Sequence, residues 1–206
     1  FWVVQYRELG DTIYQEYPTT PIEAFMANKD GAYYARLYME HVKGFKREQT
    51  GLYDKNLEVQ VAVDLGMNDT NVLTIFQDYN DFTRIFDEIH DSGQDIKFYC
   101  DELKKKPYFD NIKHLILPHD AEVRDLTSGK TRTQVFEEEL PGIEITVLEK
   151  TNRNDGIEAV RQMLKRLFID ALNCPYLTSC LFNYSKEYDE KRNRWRDKPN
   201  HDEFSN

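Results

Sequence analysis

The stretch LEVQVAVDLGMNDTNVLTIFQ, residues 57–77, decides how the rest of the chain is read. Leu57, Val59, Val61, Val63 and Leu65 make one apolar face and Glu58, Gln60, Ala62 and Asp64 the other, which is the period of a strand. Asp64 therefore stands at the carboxyl end of a buried strand. Gly66, with Met67, Asn68 and Asp69 behind it, spells a tight turn, and Asn71 to Gln77 is a second β-branched run, so a β-hairpin is expected. A carboxylate in that place is costly to desolvate unless something positive meets it. Two readings of Asp64 stand at this point: an acid that caps the turn, and a ligand.

The segments that follow bear on the choice. Tyr79-Asn80-Asp81 is a turn signal and FTRIFDEI alternates as a third strand. Gln94 to Lys106 carries Ile96, Tyr99, Cys100 and Leu103 at helical spacing and is closed by Pro107. IKHLILPHD then supplies a short apolar strand, Ile112 to Leu117, running straight into Pro118, His119 and Asp120. Three hairpin-connected strands followed by a crossover helix leave the fourth strand to pair parallel beside the first. The carboxyl ends of strands one and four then share an edge, about 4.8 Å apart, and bring Asp64 and Asp120 towards each other. Two carboxylates that close repel unless a cation lies between them.

Further along, SGKT at Ser128 to Thr131 imitates a phosphate-binding loop, but Arg124 stands where that motif needs a glycine. It reads instead as a polar turn before a helix capped by Thr131 with Gln134 and stopped by Pro141-Gly142. Lys130 and Arg132 are left as candidate phosphate contacts. Ile143 to Lys150 is a fifth strand. Asp155 with Glu158 reads as a capping box for a helix over GIEAVRQMLKRLFIDAL, residues 156–172, whose Ile157, Val160, Leu164, Leu167 and Phe168 face a core. A further helix runs from Pro175 or Tyr176 to near Asn183. In YSKEYDEKRNRWRD, Arg192, Arg194 and Arg196 surround Trp195, either as a solvated hairpin or as an arm that tracks a nucleic-acid backbone and stacks a base. The final HDEFSN repeats the His-Asp pairing of His119-Asp120 at His201-Asp202, at the opening of a last helix, where an acid is either a cap or a ligand.

Residues 1 to 55 read as a lead-in rather than a core, with helices expected in PTTPIEAFMA and AYYARLYMEHV. At 206 residues the chain suits one good-sized domain, and its beginning, FWVVQYRELG, has the look of a piece excised from something longer. No apolar run approaches a membrane span. Cys100, Cys174 and Cys180 are odd in number and match no zinc spacing, which fits a reducing, cytosolic setting. With 27 Lys and Arg against 37 Asp and Glu, the net charge of −10 argues against a free-standing nucleic-acid binder, though not against an enzyme handed its DNA by another domain.

Taken together, QEYPTTPIEAF, VAVDLGMNDTN, LPHDAEVRD and HDEFSN, in that order, resemble the C-terminal nuclease domain of large terminase subunits from tailed phages. The resemblance implies an α/β, ribonuclease-H-like fold: a mixed central sheet, three antiparallel strands and then parallel ones, flanked by helices. It divides the chain into a lead-in, 1–50, from an ATPase motor domain that is missing, and a nuclease domain, 51–206, truncated in its last helix. It implies a metal-dependent endonuclease that cuts concatemeric DNA at the start and end of packaging. Asp64 and Asp120 are then the first two metal ligands and Asp202 the third, unless that ligand lies beyond Asn206. Two Mg²⁺ or Mn²⁺ ions would clamp the scissile phosphate, and carboxylates are the hard donors such ions take. His119 and His201 either orient water or a ligand or face solvent. Lys104 to Lys106, Lys130, Arg132 and the arm with Arg192, Arg194, Trp195 and Arg196 are candidates to hold the backbone of double-stranded DNA. The small terminase subunit and the portal of the procapsid are the implied partners, the host-cell cytoplasm is the implied setting, and no membrane is involved.

Two rival classes are compatible with parts of this pattern. A strand ending in Asp-Leu-Gly also opens the ATP-binding lobe of actin and sugar kinases, but those need a second such lobe, and 206 residues are too few for two. The other rival is a non-catalytic module that docks onto the packaging machine.

Overall fold

The computed structural model describes residues 31–65, 70–124 and 129–200, the side chain of Asp197 excepted. The turn expected at Gly66 to Asp69, the helix expected in PTTPIEAFMA, and His201-Asp202 lie outside the described residues.

Six strands form the central sheet: β1 (Val59–Asp64), β2 (Thr70–Tyr79), β3 (Phe82–Ser92), β4 (Ile112–Leu117), β5 (Glu144–Val147) and β6 (Leu167–Ile169). Their order is β5-β4-β1-β2-β3-β6. β1, β2 and β3 pair antiparallel in sequence, while β4 lies parallel to β1, β5 parallel to β4, and β6 parallel to β3. The hairpin-then-crossover reading of the sequence is thereby met, down to the placement of β4 beside β1. The β2–β3 turn closes at Asn80, whose φ of 52° suits an asparagine in a tight hairpin.

Alternation in β1 does what the sequence demands. Val59, Val61 and Val63 are buried and point, with Leu73, Ile75, Leu115 and Leu117, into a core under α2 (Ile96–Lys104) and α3 (Arg132–Glu139). Tyr99, Cys100 and Leu103 of α2 and Phe136 of α3 close that core. Asp95 caps α2 by accepting from the Phe98 amide at 2.8 Å.

A second core covers the other face at the β3–β6 side. It is built from Ile85, Leu167 and Ile169 of the sheet, α4 (Arg153–Leu164), α5 (Pro175–Asn183), and a helical segment α1 (Ala35–Leu37) that widens into a π-helical stretch over Tyr38–Lys43. Tyr33, Tyr34, Tyr38 and Val42 are buried there, so the described part of the lead-in is core and not an appendage. Aromatic packing holds it: Tyr34 stacks on Tyr184 with centroids 5.6 Å apart, and Tyr38 meets Phe182 edge-on at 4.7 Å.

The helix expected over 156–172 is two elements. α4 ends at Leu164 and Leu167–Ile169 is β6, an edge strand paired with Thr83 to Ile85. Leu164, Leu167 and Phe168 satisfy helical spacing, which hides a three-residue strand. Asp170, 1 % exposed, arrests any continuation by accepting from the backbone amides of Gly51, Leu172 and Asn173. The expected capping box of Asp155 with Glu158 is also displaced: Asn152 is the cap, accepting from the Asn154 amide at 3.1 Å, and Asp155 sits in the first turn. The last described element is a hairpin of β7 (Lys186–Asp189) and β8 (Arg194–Pro199).

Two outcomes follow from the core under α2 and α3. Leu115→Ala is expected to cost about 2–5 kcal/mol in urea unfolding, the range for a fully buried leucine. Burial pushes the Cys100 thiol from 9.0 up to about 12. A group whose folded value is raised adds stability below its unfolded value and loses it as pH climbs towards the folded one. Stability should therefore fall between about pH 9 and about pH 12, and less steeply in Cys100→Ala, as urea unfolding across the accessible part of that window would record.

Candidate metal centre

β1 and β4 run parallel, so both deliver their carboxyl ends to one edge of the sheet. Their last paired residues are Ala62 and Ile116; Asp64 follows two residues later on one strand and Asp120 four residues later on the other. Asp64 closes β1 on the face opposite the valines, exposed, and opposite Val72 of β2. After Leu117 the chain meets Pro118, which has no N–H to give a ladder, and folds into a 3₁₀ turn, His119–Glu122. Buried Ala121 pins that turn, with its amide on the Pro118 carbonyl at 3.0 Å, while the Asp120 side chain stays 43 % exposed on the rim.

The first turn of α3 clasps this rim. Thr131 and Gln134 form a reciprocal capping box, as their spacing predicts, which fixes the direction of the next two side chains. One guanidinium nitrogen of Arg132, Nη1, donates both to Asp120 Oδ2 and to the Leu65 carbonyl, each at 3.3 Å. Thr133 Oγ1 donates to Glu122 Oε1 at 2.8 Å. The ends of β1 and β4 are thus tied through a single helix terminus, and Arg132 supplies the cation that a carboxylate on this edge requires.

On the other side of Asp64 lies a cavity of about 160 Å³, lined by Ala62, Val63, Asp64, Val72, Thr74, Tyr176, Leu177 and Cys180. Its helical wall, α5, is anchored by Glu88, which the sequence reading did not single out. The Glu88 side chain, 2 % exposed, accepts from the Tyr176 and Leu177 amides at 2.7 and 2.8 Å. It acts as the N-terminal cap that Cys174 does not provide, favoured by the helix dipole. Only its partner, 88 residues away in sequence, identifies it.

The other sequence candidates lie in different settings. Lys130 reaches Glu138 at 2.6 Å; Lys104 pairs with Glu139 and Asp101, Lys105 with Glu102, and Lys106 with Asp87. Arg196 is held by Asp189 and Glu187 and, with Arg192, Arg194 and Trp195, lines an open cleft of about 630 Å³ on the β7–β8 hairpin. That hairpin is rooted at Gly31, whose carbonyl accepts from the Lys186 amide at 2.9 Å. A Cβ at Gly31 would come within 2.6 to 2.7 Å of the Trp195 ring. The fold therefore gathers Asp64, Asp120 and Arg132 at one rim and sets the arginine–tryptophan cluster on a separate element.

As a metal site, the rim has the right chemistry and an incomplete donor set. Two accessible carboxylates suit a hard divalent cation that keeps several waters. Among the described residues, no group of three or more His, Cys, Asp and Glu could hold a metal ion. A third protein ligand would come from elsewhere, and Asp202 lies outside the described residues.

No protein-family model and no curated protein matches the sequence. Solved structures match its fold. The large terminase of a thermophilic bacteriophage superposes with a TM-score of 0.54 at 19 % identity, over 74 % of this chain and 41 % of that one. The nuclease domain of the bacteriophage SPP1 large terminase, solved with bound Mn, gives 0.52 at 16 % identity over 75 % and 86 % of the two chains. The P22 large terminase nuclease domain gives 0.50 at 14 %, over 72 % and 77 %. The fold is therefore that of large terminase nuclease domains, the ribonuclease-H-like architecture that the sequence resemblance implies. The chain spans about two-fifths of the thermophilic phage's whole terminase.

Glu88→Ala removes the acceptor from two helix amides and is expected to cost about 1–3 kcal/mol, with faster hydrogen exchange at Tyr176 and Leu177. Lys130→Gln, breaking an exposed pair, should stay within about 0.5 kcal/mol of the parent in the same assay.

Proposed function

We propose that this chain is the metal-dependent endonuclease domain of a viral genome-packaging motor, hydrolysing phosphodiester bonds of double-stranded DNA. The observation that supports it most is the parallel pairing of β1 with β4, because it carries Asp64 and Asp120 to one accessible edge. The SPP1 neighbour, which shares the fold, was solved with Mn.

In this reading Asp64 and Asp120 hold Mg²⁺ or Mn²⁺, with Asp202 or a later acid as the third ligand. Two bound ions would activate water and neutralise the charge that develops on the leaving 3′-oxygen. The chain's own part is to hold one carboxylate at the end of β1 and the other in the turn after β4, to keep the rim open to a phosphate, and to set the guanidinium of Arg132 beside it. Arg192, Arg194, Trp195, Arg196 and Lys130 are proposed to follow the DNA backbone without reading sequence. The physiological role is cutting concatemeric DNA when packaging begins and ends, in the host cytoplasm. There the small terminase subunit and the portal are partners, and an ATPase motor is joined through residues 1–50.

Among the described residues no helix is long and apolar enough to cross a membrane. The net charge of −10 implies that the isolated chain binds DNA weakly and that added salt abolishes the binding.

Incubating the chain with supercoiled plasmid and Mn²⁺ tests the reading. Nicking that is lost in EDTA and reduced at least about a hundredfold in Asp64→Ala and in Asp120→Ala is the expected result. ATP turnover without nicking would favour the kinase-like lobe, and neither activity would favour a docking module.

A further inference from the structure

The contact between Arg132 and Asp120 does more than neutralise a charge. Nη1 of Arg132 is shared between Asp120 Oδ2 and the Leu65 carbonyl, so the guanidinium bridges the ends of β4 and β1 across the edge where Asp64 stands. The Arg132 side chain is 23 % exposed against 43 % for Asp120, so the cation is the more enclosed partner and water reaches the carboxylate from outside. Its position is fixed by the Thr131–Gln134 box, and the neighbouring Thr133 is spent on Glu122 and Ala121, leaving Arg132 as the cationic side chain of this turn at the rim.

Resting on the nuclease reading, we infer that Arg132 is a built-in counter-ion that competes with a divalent cation for Asp120. A metal on the same carboxylate would set two positive groups against one negative charge. Coulomb repulsion then drives the guanidinium off Oδ2, while the Leu65 carbonyl retains it at the rim. Without metal, Arg132 neutralises Asp120; released from it, its planar fork would be open to a phosphate, the anion it suits best. The rim is thereby assembled before the ions arrive, and idle occupancy at low metal concentration is suppressed.

The test is Mn²⁺ binding by calorimetry on the full 206-residue chain. Arg132→Gln should tighten the Mn²⁺ Kd by about two- to fivefold, the size expected for losing a half-exposed ion pair, and yet nick plasmid more slowly than the parent. Arg132→Lys should bind Mn²⁺ within about twofold of the parent. A Kd that is unchanged or weaker in Arg132→Gln overturns the proposal, since a residue that only props the rim would weaken metal binding when lost. In the unmodified chain, side-chain nitrogen resonances of Arg132 should shift and its guanidinium rotate faster as Mg²⁺ is added; identical spectra with and without Mg²⁺ would also overturn it. Should the parent bind no Mn²⁺, or bind it equally well in Asp64→Ala and Asp120→Ala, the nuclease reading fails instead.

Discussion

The structure depends on one pairing, β4 laid parallel against β1. Parallel neighbours need a crossover, and here β2, β3 and α2 supply it, lying along the chain between β1 and the strand that docks beside it. Because the two strands point the same way, both chain exits fall on one edge. An antiparallel arrangement of the same two strands would send Asp64 and Asp120 to opposite ends of the sheet.

Around that pairing the molecule divides its polar groups according to what surrounds them. Glu88, Asp170 and Asp189 are buried acids, each satisfied by backbone amides or by arginine, and each fastens one element to another. Asp64 and Asp120 are accessible acids on a rigid base. Burying an acid fully commits its oxygens to the protein; leaving it exposed at the sheet edge keeps it within reach of solvent. The distinction lies in exposure and partners, not in residue type.

Charge is unevenly spread as well. The chain carries a net charge of −10, and the β7–β8 hairpin is one place where its cations are concentrated. Lys104, Lys105, Lys106 and Lys130 are each balanced by a neighbouring glutamate or aspartate, Lys104 by Glu139 and Lys130 by Glu138 among them. Arginines are set differently: Arg132 at the acid rim, and Arg192 and Arg194 along the hairpin cleft.

Much of this is legible in the amino-acid sequence alone. The alternation in 57–65, the β-branched run behind it and the apolar IKHLIL each follow from periods that the backbone imposes locally. The sheet order for β1 to β4 followed from connection lengths, and the Thr131–Gln134 box from a short-range rule. What the sequence could not carry is whatever depends on partners far along the chain. β6 exists because β3 offers it an edge, although its three residues fit a helix equally well. Tyr33, Tyr34 and Tyr38 are core because α5 and Tyr184 cover them, and Glu88 matters because a helix 88 residues later begins against it. Arg132 was legible as a cation near a turn; its grip on both Asp120 and Leu65 was decided only when the sheet edge closed, because charge pairing is a property of distance in space and local sequence fixes only distance along the chain.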